Sequence, residues 1–310
     1  MSNSRHTDAV AVTGLTKRYG RRTVVDDISL RIPRGSVTGL IGPNGAGKTT
    51  IMSMLLGLVR PSAGHGEVLG HDLHHPKAYL GQVGALIEGP AFHSSMSGRA
   101  NLRNLCRLGR HDAAQVDELL DLVGLGERGE DLYGAYSLGM KQRLGIAAAL
   151  LGDPELVILD EPTNGVDPQG MRDIRNLVRR IAEGGRTVLV SSHLLAELEH
   201  VCDHLVVIDK GGLRYEGPME ELPTGRPEVL RVSANGSSER LHALLVAEGY
   251  TATSAGGASV VEIGEVDPTR LAARINETAH AAGITVTELH HQRQTLEDRV
   301  LELVGTGSQS

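Results

Sequence analysis

The amino-acid sequence predicts an α/β fold with a parallel core sheet, an antiparallel β subdomain ahead of it and a small α+β unit behind. Three observations carry this reading. Short apolar runs at 37–41, 156–159, 187–190 and 205–208 alternate with helical repeats, as strands covered on both faces by helices require. Residues 1–35 instead alternate with period two, the mark of a half-buried antiparallel pair. After Pro218, Pro223 and Pro227 the pattern changes again, to a strand–helix–strand–strand–helix–strand order.

Taken in order, Val10 and Val12, then Ile28, Leu30 and Ile32, sit at period two, with Tyr19 and Gly20 as the turn between them. Val37–Ile41 is a short buried strand that runs into a glycine loop. A helix is expected from Lys48, carrying Ile51, Met54, Leu55 and Leu58 on one face and ending near Gly57. The stretch at about 93–152 reads as a helical subdomain: Val116, Leu119, Leu120 and Val123 repeat at helical spacing, and 144–151 is an apolar helix end. Strands are expected at Leu156–Leu159, 187–190 and 205–208, with a helix over 170–183. The first domain therefore covers 1–220, and 221–227 is a linker. Beyond it, 229–232, 251–253, 260–263 and 284–289 read as strands and 237–247 and 268–282 as helices. That order suggests a small ferredoxin-like domain over 228–310. Leu296, Val300, Leu303 and Val304 form the stripe of a terminal amphipathic helix.

Composition removes several classes. The chain has 310 residues, 22% charged and 40% hydrophobic, which is the balance of a globular protein. No stretch approaches the 18 or so uninterrupted apolar residues of a membrane span. Residues 1–8 are polar and lack the apolar stretch of a secretory signal. A net charge of −7 argues against nucleic acid as a partner held through its phosphates. Cys106 and Cys202 are far apart and read as reduced cytosolic thiols. With aromatics at 2%, the core must be built of Leu, Val, Ile and Ala.

Two motifs carry chemistry. Gly42, Pro43, Asn44, Gly45, Ala46, Gly47, Lys48 and Thr49, with Thr50 directly after them, fit the phosphate-binding P-loop, between a strand and a helix as that loop requires. The glycines let backbone N–H groups turn toward a β-phosphate at a helix N-terminus. Lys48 offers a point charge to the β- and γ-phosphates, and the Thr49 hydroxyl can ligate Mg2+. The second motif is the apolar strand Leu156–Leu159 ending in Asp160 and Glu161. Asp160 is placed to hold Mg2+ and Glu161 to polarise an attacking water, since adjacent residues project differently where a strand ends.

Upstream of that strand, Tyr136-Ser137-Leu138-Gly139-Met140-Lys141-Gln142-Arg143 resembles the signature motif of the ABC (ATP-binding cassette) ATPases. The order of motifs is also similar to that family's: P-loop, helical insert, signature, Asp-Glu strand, then Asn164-Gly165-Val166-Asp167, then His193 after a strand. The resemblance covers roughly 8–220 and implies an ATP-dependent homodimer in which each ATP lies between one P-loop and the other chain's signature. It places Ser137 and Gly139 against the γ-phosphate in trans, makes His193 a switch that positions Glu161 and water, and puts Asp167 in a loop coupling the two sites. Tyr19 matches the aromatic that stacks on adenine.

Two positions depart from the family pattern. Leu138 and Met140 stand where a glycine and a glutamine are usual in the signature. In the loop where a metal-touching glutamine is usual, Glu88 aligns best, with Gln82 six residues earlier as the alternative. Both departures resemble the bacterial exporter branch that handles peptide antibiotics such as bacitracin and lantibiotics. The expected protein is thus the ATP-hydrolysing subunit of such an exporter, bound to a separate transmembrane permease at the cytoplasmic side of the bacterial plasma membrane. Export of a lipid or polysaccharide, or a soluble ABC ATPase such as one for cluster assembly, are the alternatives. His71, His74, His75, His290 and His291 lack the Cys or carboxylate partners of a tetrahedral site and read as solvated surface.

Overall fold

The computed structural model describes residues 7–89, 91–193, 198–199, 201–222, 228–236, 238–264, 266–292, 299–300 and 303. The chain divides into two compact units that part after Leu222. In the first, β1 (Asp8–Tyr19) and β2 (Arg22–Pro33) pair antiparallel, with Val12 opposite Leu30 and Leu15 opposite Ile28. β3 (Val37–Ile41) lies inside a second sheet, while β4 (Ala63–Val68) and the short β5 (His71–Asp72) complete the first, in the order β2-β1-β4-β5.

The second sheet takes β6 (Val83–Leu86), β7 (Leu156–Leu159), β8 (Thr187–Ser192), β9 (His204–Asp209) and β10 (Gly212–Pro218) in the order β10-β9-β3-β8-β7-β6. All its pairs are parallel except β10 on β9. β3, β7, β8 and β9 are buried at every residue, which is why their sequences are apolar without alternation. Helices α1 (Lys48–Leu55), α2 (Gly98–Gly109), α3 (Gln115–Leu122), α4 (Leu138–Ala149) and α5 (Pro168–Glu183) complete this unit.

One apolar cluster joins the two sheets to α1: Leu15, Ile28 and Ile32 meet Ile51, Met54 and Leu55, with Leu40, Ile158 and Val206 beneath. The fully buried Tyr79 donates its hydroxyl to Leu55 O at 2.8 Å, tying off the last turn of α1. Burial pushes its pKa up to about 12. Cys106 and Cys202 are both buried, and burial pushes each thiol up. The helix expected to bury Leu58 stops earlier: Gly57 takes a left-handed φ of 65° and Leu58 is left 68% exposed. Pro218 ends β10, an edge strand, where a missing N–H is tolerated.

The second unit runs β11 (Val229–Ala234), α6 (Ser238–Ala247), β12 (Ala252–Ala255), β13 (Ala258–Glu262), α7 (Pro268–Ala281) and β14 (Val286–Gln292). Its sheet is antiparallel throughout, in the order β12-β13-β11-β14. Leu230, Val232 and Val261 from the sheet pack with Leu241 and Leu245 of α6 and with Leu271 and Ile275 of α7. Linker residues 223–227, and Leu296 and Val304 of the expected terminal helix, lie outside the described residues. Among the described residues, no helix is long and apolar enough to cross a membrane.

Candidate functional site

The candidate site forms where β3, β7 and β8 end, at the carboxyl edge of the parallel sheet where open α/β folds bind ligands. β3 delivers the chain to Gly42, where a Cβ would fall 2.4 Å from Ile208 O, so only glycine fits. Gly45 and Gly47 then take φ of 82° and 110°, and Gly47 caps α1, leaving the first turn's N–H groups directed at the loop. Lys48, 6% exposed, folds its Nζ back to within 2.7 Å of Gly42 O.

Ser191 of β8 fastens the chain beyond β7, through the side chain of Asp160 and the backbone of Glu161. The buried Ser191 hydroxyl donates to Asp160 Oδ1 at 2.6 Å and accepts from Glu161 N at 2.9 Å. Asp160 Oδ2 accepts from the Thr49 hydroxyl at 2.8 Å. Glu161 has a left-handed φ of 48°, a backbone strain of about 1–3 kcal/mol that surrounding structure must sustain. Its carboxylate bridges two partners, with Oε1 3.1 Å from Lys48 Nζ and Oε2 2.6 Å from His193 Nδ1. A buried lysine is thereby balanced by a carboxylate, and that carboxylate is aimed into the loop rather than away from it.

A cavity of about 440 Å³ opens over these groups, lined by Tyr19, Asn44, Gly45, Gly47, Lys48, Thr49, Thr50, Glu161 and His193. Tyr19 is 50% exposed at its far end, and Lys17 Nζ sits 4.9 Å from its ring centroid. Gly42, Pro43 and Ala46 shape the loop without lining the cavity. Asn164, which the sequence marks only as part of the 164–167 motif, also lines it, as do Arg22 and Val24, which the sequence does not single out. Arg22 arrives because the hairpin pairs it directly with Tyr19, a signal available from the Gly20 turn. Ser191 was likewise missed. Its role appears only when β7 and β8 are placed side by side.

The donor set suits a hard divalent cation shared with phosphates: one hydroxyl and one carboxylate, from Thr49 and Asp160. Among the described residues, no group of three or more His, Cys, Asp or Glu could hold a metal alone. Such an ion would complete its shell with water and phosphate oxygens.

Other residues singled out from the sequence lie elsewhere. Ser137 caps α4, its hydroxyl accepting from Met140 N at 3.3 Å, and Asp167 caps α5 by accepting from Gly170 N at 2.8 Å. Neither they nor Gly139 line the cavity. Glu88 lies two residues past β6, exposed, with φ of 57°, and is also outside the lining. Gln82 is at the other end of that strand, its carbonyl accepting from Glu155 N at the entry to β7. That position sets Gln82 at the edge of the sheet opposite to Asp160.

The ABC transporter family profile matches residues 25–164. The bacitracin transport ATP-binding protein of Bacillus licheniformis is 36% identical over 309 residues, covering 96% of this chain and 98% of that protein. The daunorubicin resistance ATP-binding protein of Streptomyces coeruleorubidus is 36% identical over 306 residues, covering 96% of each. A solved ATP-binding subunit of an ABC transporter matches with a TM-score of 0.61 at 29% identity, covering 69% of this chain and 91% of that one.

Proposed function

The chain belongs to the ABC transporter family of ATP-binding proteins, and from that premise we propose that it hydrolyses ATP to power export of a peptide antibiotic or other drug through a separate permease. The observation that carries the hydrolysis is the convergence of Lys48, Glu161 and His193 in one cavity. Bound there, the γ-phosphate takes the Lys48 ammonium from Glu161. The freed carboxylate is left with His193, which holds it toward the water it orients for in-line attack. Thr49 and Asp160 would hold Mg2+, which supplies neutralisation of the charge on the β- and γ-phosphates. Tyr19 offers a ring face to the base.

Ser137 and Gly139, at the N-terminus of α4, would complete the ATP site of a second copy of this chain, giving an ATP-dependent homodimer. A transport role of the kind that the bacitracin relative's name states would place the chain peripherally on the cytoplasmic side of the bacterial membrane, docked on the permease. The connectivity and antiparallel sheet order of the second unit support a ferredoxin-like assignment.

The test is capture of the tagged full-length chain from gently solubilised membranes of its own host, with mass spectrometry of what accompanies it. A stoichiometric polytopic membrane protein is expected. Recovery in the soluble fraction with no such partner overturns the export reading and leaves the nucleotide chemistry intact.

A further inference from the structure

On the two-cassette reading above, each protomer gives its cavity to one ATP and the start of α4 to the other. The structure ties these two regions together within one chain. Leu138, the first residue of α4, keeps 45% of its surface exposed, yet its Cδ2 packs over Gly165. A Cβ built on Gly165 would lie 3.0 Å from that methyl group, and Gly165 has a φ of 73°. Beside it, Val166 Cγ1 lies 3.2 Å from the place a Cβ would take on Gly139 and 2.5 Å from that on Gly170. Val166 is 9% exposed. The first turn of α4, the turn at 163–167 and the first turn of α5 are therefore interlocked side chain against glycine backbone.

The same turn is fastened to the cavity. Asn164 lines it, and Asn164 N donates to Glu161 O at 3.0 Å. Val166 N donates to Thr163 O at 3.1 Å, and Asp167 caps α5. A continuous set of contacts thus runs from the Glu161 backbone carbonyl, through 164–166, to Leu138 and its neighbours Ser137 and Gly139. Close-packed contacts of this kind shift as units, not by gradual deformation.

We propose that Leu138 is a positioning residue that keys the start of α4 to the 164–166 turn. The state of Glu161 and Asn164 in a protomer's own cavity then sets how that protomer presents Ser137 and Gly139 to the second nucleotide. The large aliphatic side chain matters because it fills the gap over Gly165. Without it the two segments move independently. This rests on the two-cassette reading and goes beyond it by assigning the route of coupling to one residue.

The test uses full-length Leu138→Ala and Leu138→Met with Mg-ATP. Wild type is expected to hydrolyse ATP with a Hill coefficient of about 1.5–2. In Leu138→Ala it should fall to about 1 and kcat should drop about threefold to tenfold, while Tm and the Kd of a fluorescent ATP analogue on the dilute protomer stay unchanged. Leu138→Met, which refills the gap, should restore the cooperativity. Wild-type cooperativity and kcat in Leu138→Ala overturn the proposal. A wild type with a Hill coefficient of about 1, together with a Glu161→Gln variant that stays monomeric in ATP, instead overturns the two-cassette reading beneath it.

Discussion

Around the cavity, Lys48, Thr49, Asp160, Glu161, Ser191 and His193 lie within 3.1 Å of one another in successive pairs, each polar atom spent on the next. At the start of α4 and α5, Ser137 and Asp167 spend their side chains on capping their own helices, and the large Leu138 beside them stays half exposed. The first region is a finished constellation. The second is a pair of well-formed helix ends whose capping side chains do not line the cavity. On the two-cassette reading proposed above, one copy of this chain builds one half of each catalytic site completely, and holds the other half on rigid secondary structure. Variants in the two regions should therefore fail in different ways.

The largest effect is expected at Lys48. Lys48→Ala removes the one cation buried in the loop and leaves Glu161 with His193 alone. ATPase activity should fall about 100-fold or more, as when an electrostatic group facing developing charge is deleted. Fluorescent-ATP affinity of the isolated protomer should collapse with it. Unchanged affinity would place the phosphates somewhere other than this loop and dissolve the contrast between the regions.

The finished region was also the more legible one. A strand, a glycine loop and a helix occur consecutively at 37–55, so local sequence alone located Lys48 and Thr49. Asp160 and Glu161 followed from an apolar run ending in acids. What escaped was everything that depends on pairing between distant segments. Arg22 reaches the cavity through its register with Tyr19, and Ser191 through the parallel pairing of β8 with β7. β4 was missed because Gly64 and Gly66 weaken its strand pattern, although a Cβ on Gly66 would strike Ala11 O at 2.3 Å and so explains the glycine. β10 was hidden by Pro218, which reads as a break in sequence and is an edge-strand end in the fold.

A smaller and more selective loss is expected at Ser137. Ser137→Ala removes the cap of α4 at a cost of about 1 kcal/mol, a drop of a few degrees in Tm. Nucleotide affinity of the dilute protomer should stay within about twofold, because Ser137 is absent from the cavity lining. Steady-state ATPase activity should fall about tenfold, the share of one lost phosphate contact made at a helix N-terminus. If the isolated protomer loses nucleotide binding as well, Ser137 acts on its own chain's site, and the division into halves is wrong.

The smallest effect is expected at Glu88, whose place past the end of β6 makes it the sharpest test of where the site ends. β6 pairs with β7 so that Leu86 lies opposite Leu159, one residue short of Asp160, and a further two residues bring the chain to Glu88. Proximity along the sheet edge thus favours a metal role. The conformation argues the other way: φ is 57°, the side chain is exposed, and Thr49 and Asp160 already pair without it. A carboxylate added beside a γ-phosphate would raise the negative charge that Lys48 and a divalent cation must balance, whereas an exposed one at the rim is screened by water. Glu88→Gln should therefore keep ATPase activity within about threefold and leave the Mg2+ dependence of turnover unshifted. An Mg2+ midpoint that rises about tenfold in Glu88→Gln would instead make this carboxylate a ligand, and would extend the finished region across the edge of β6.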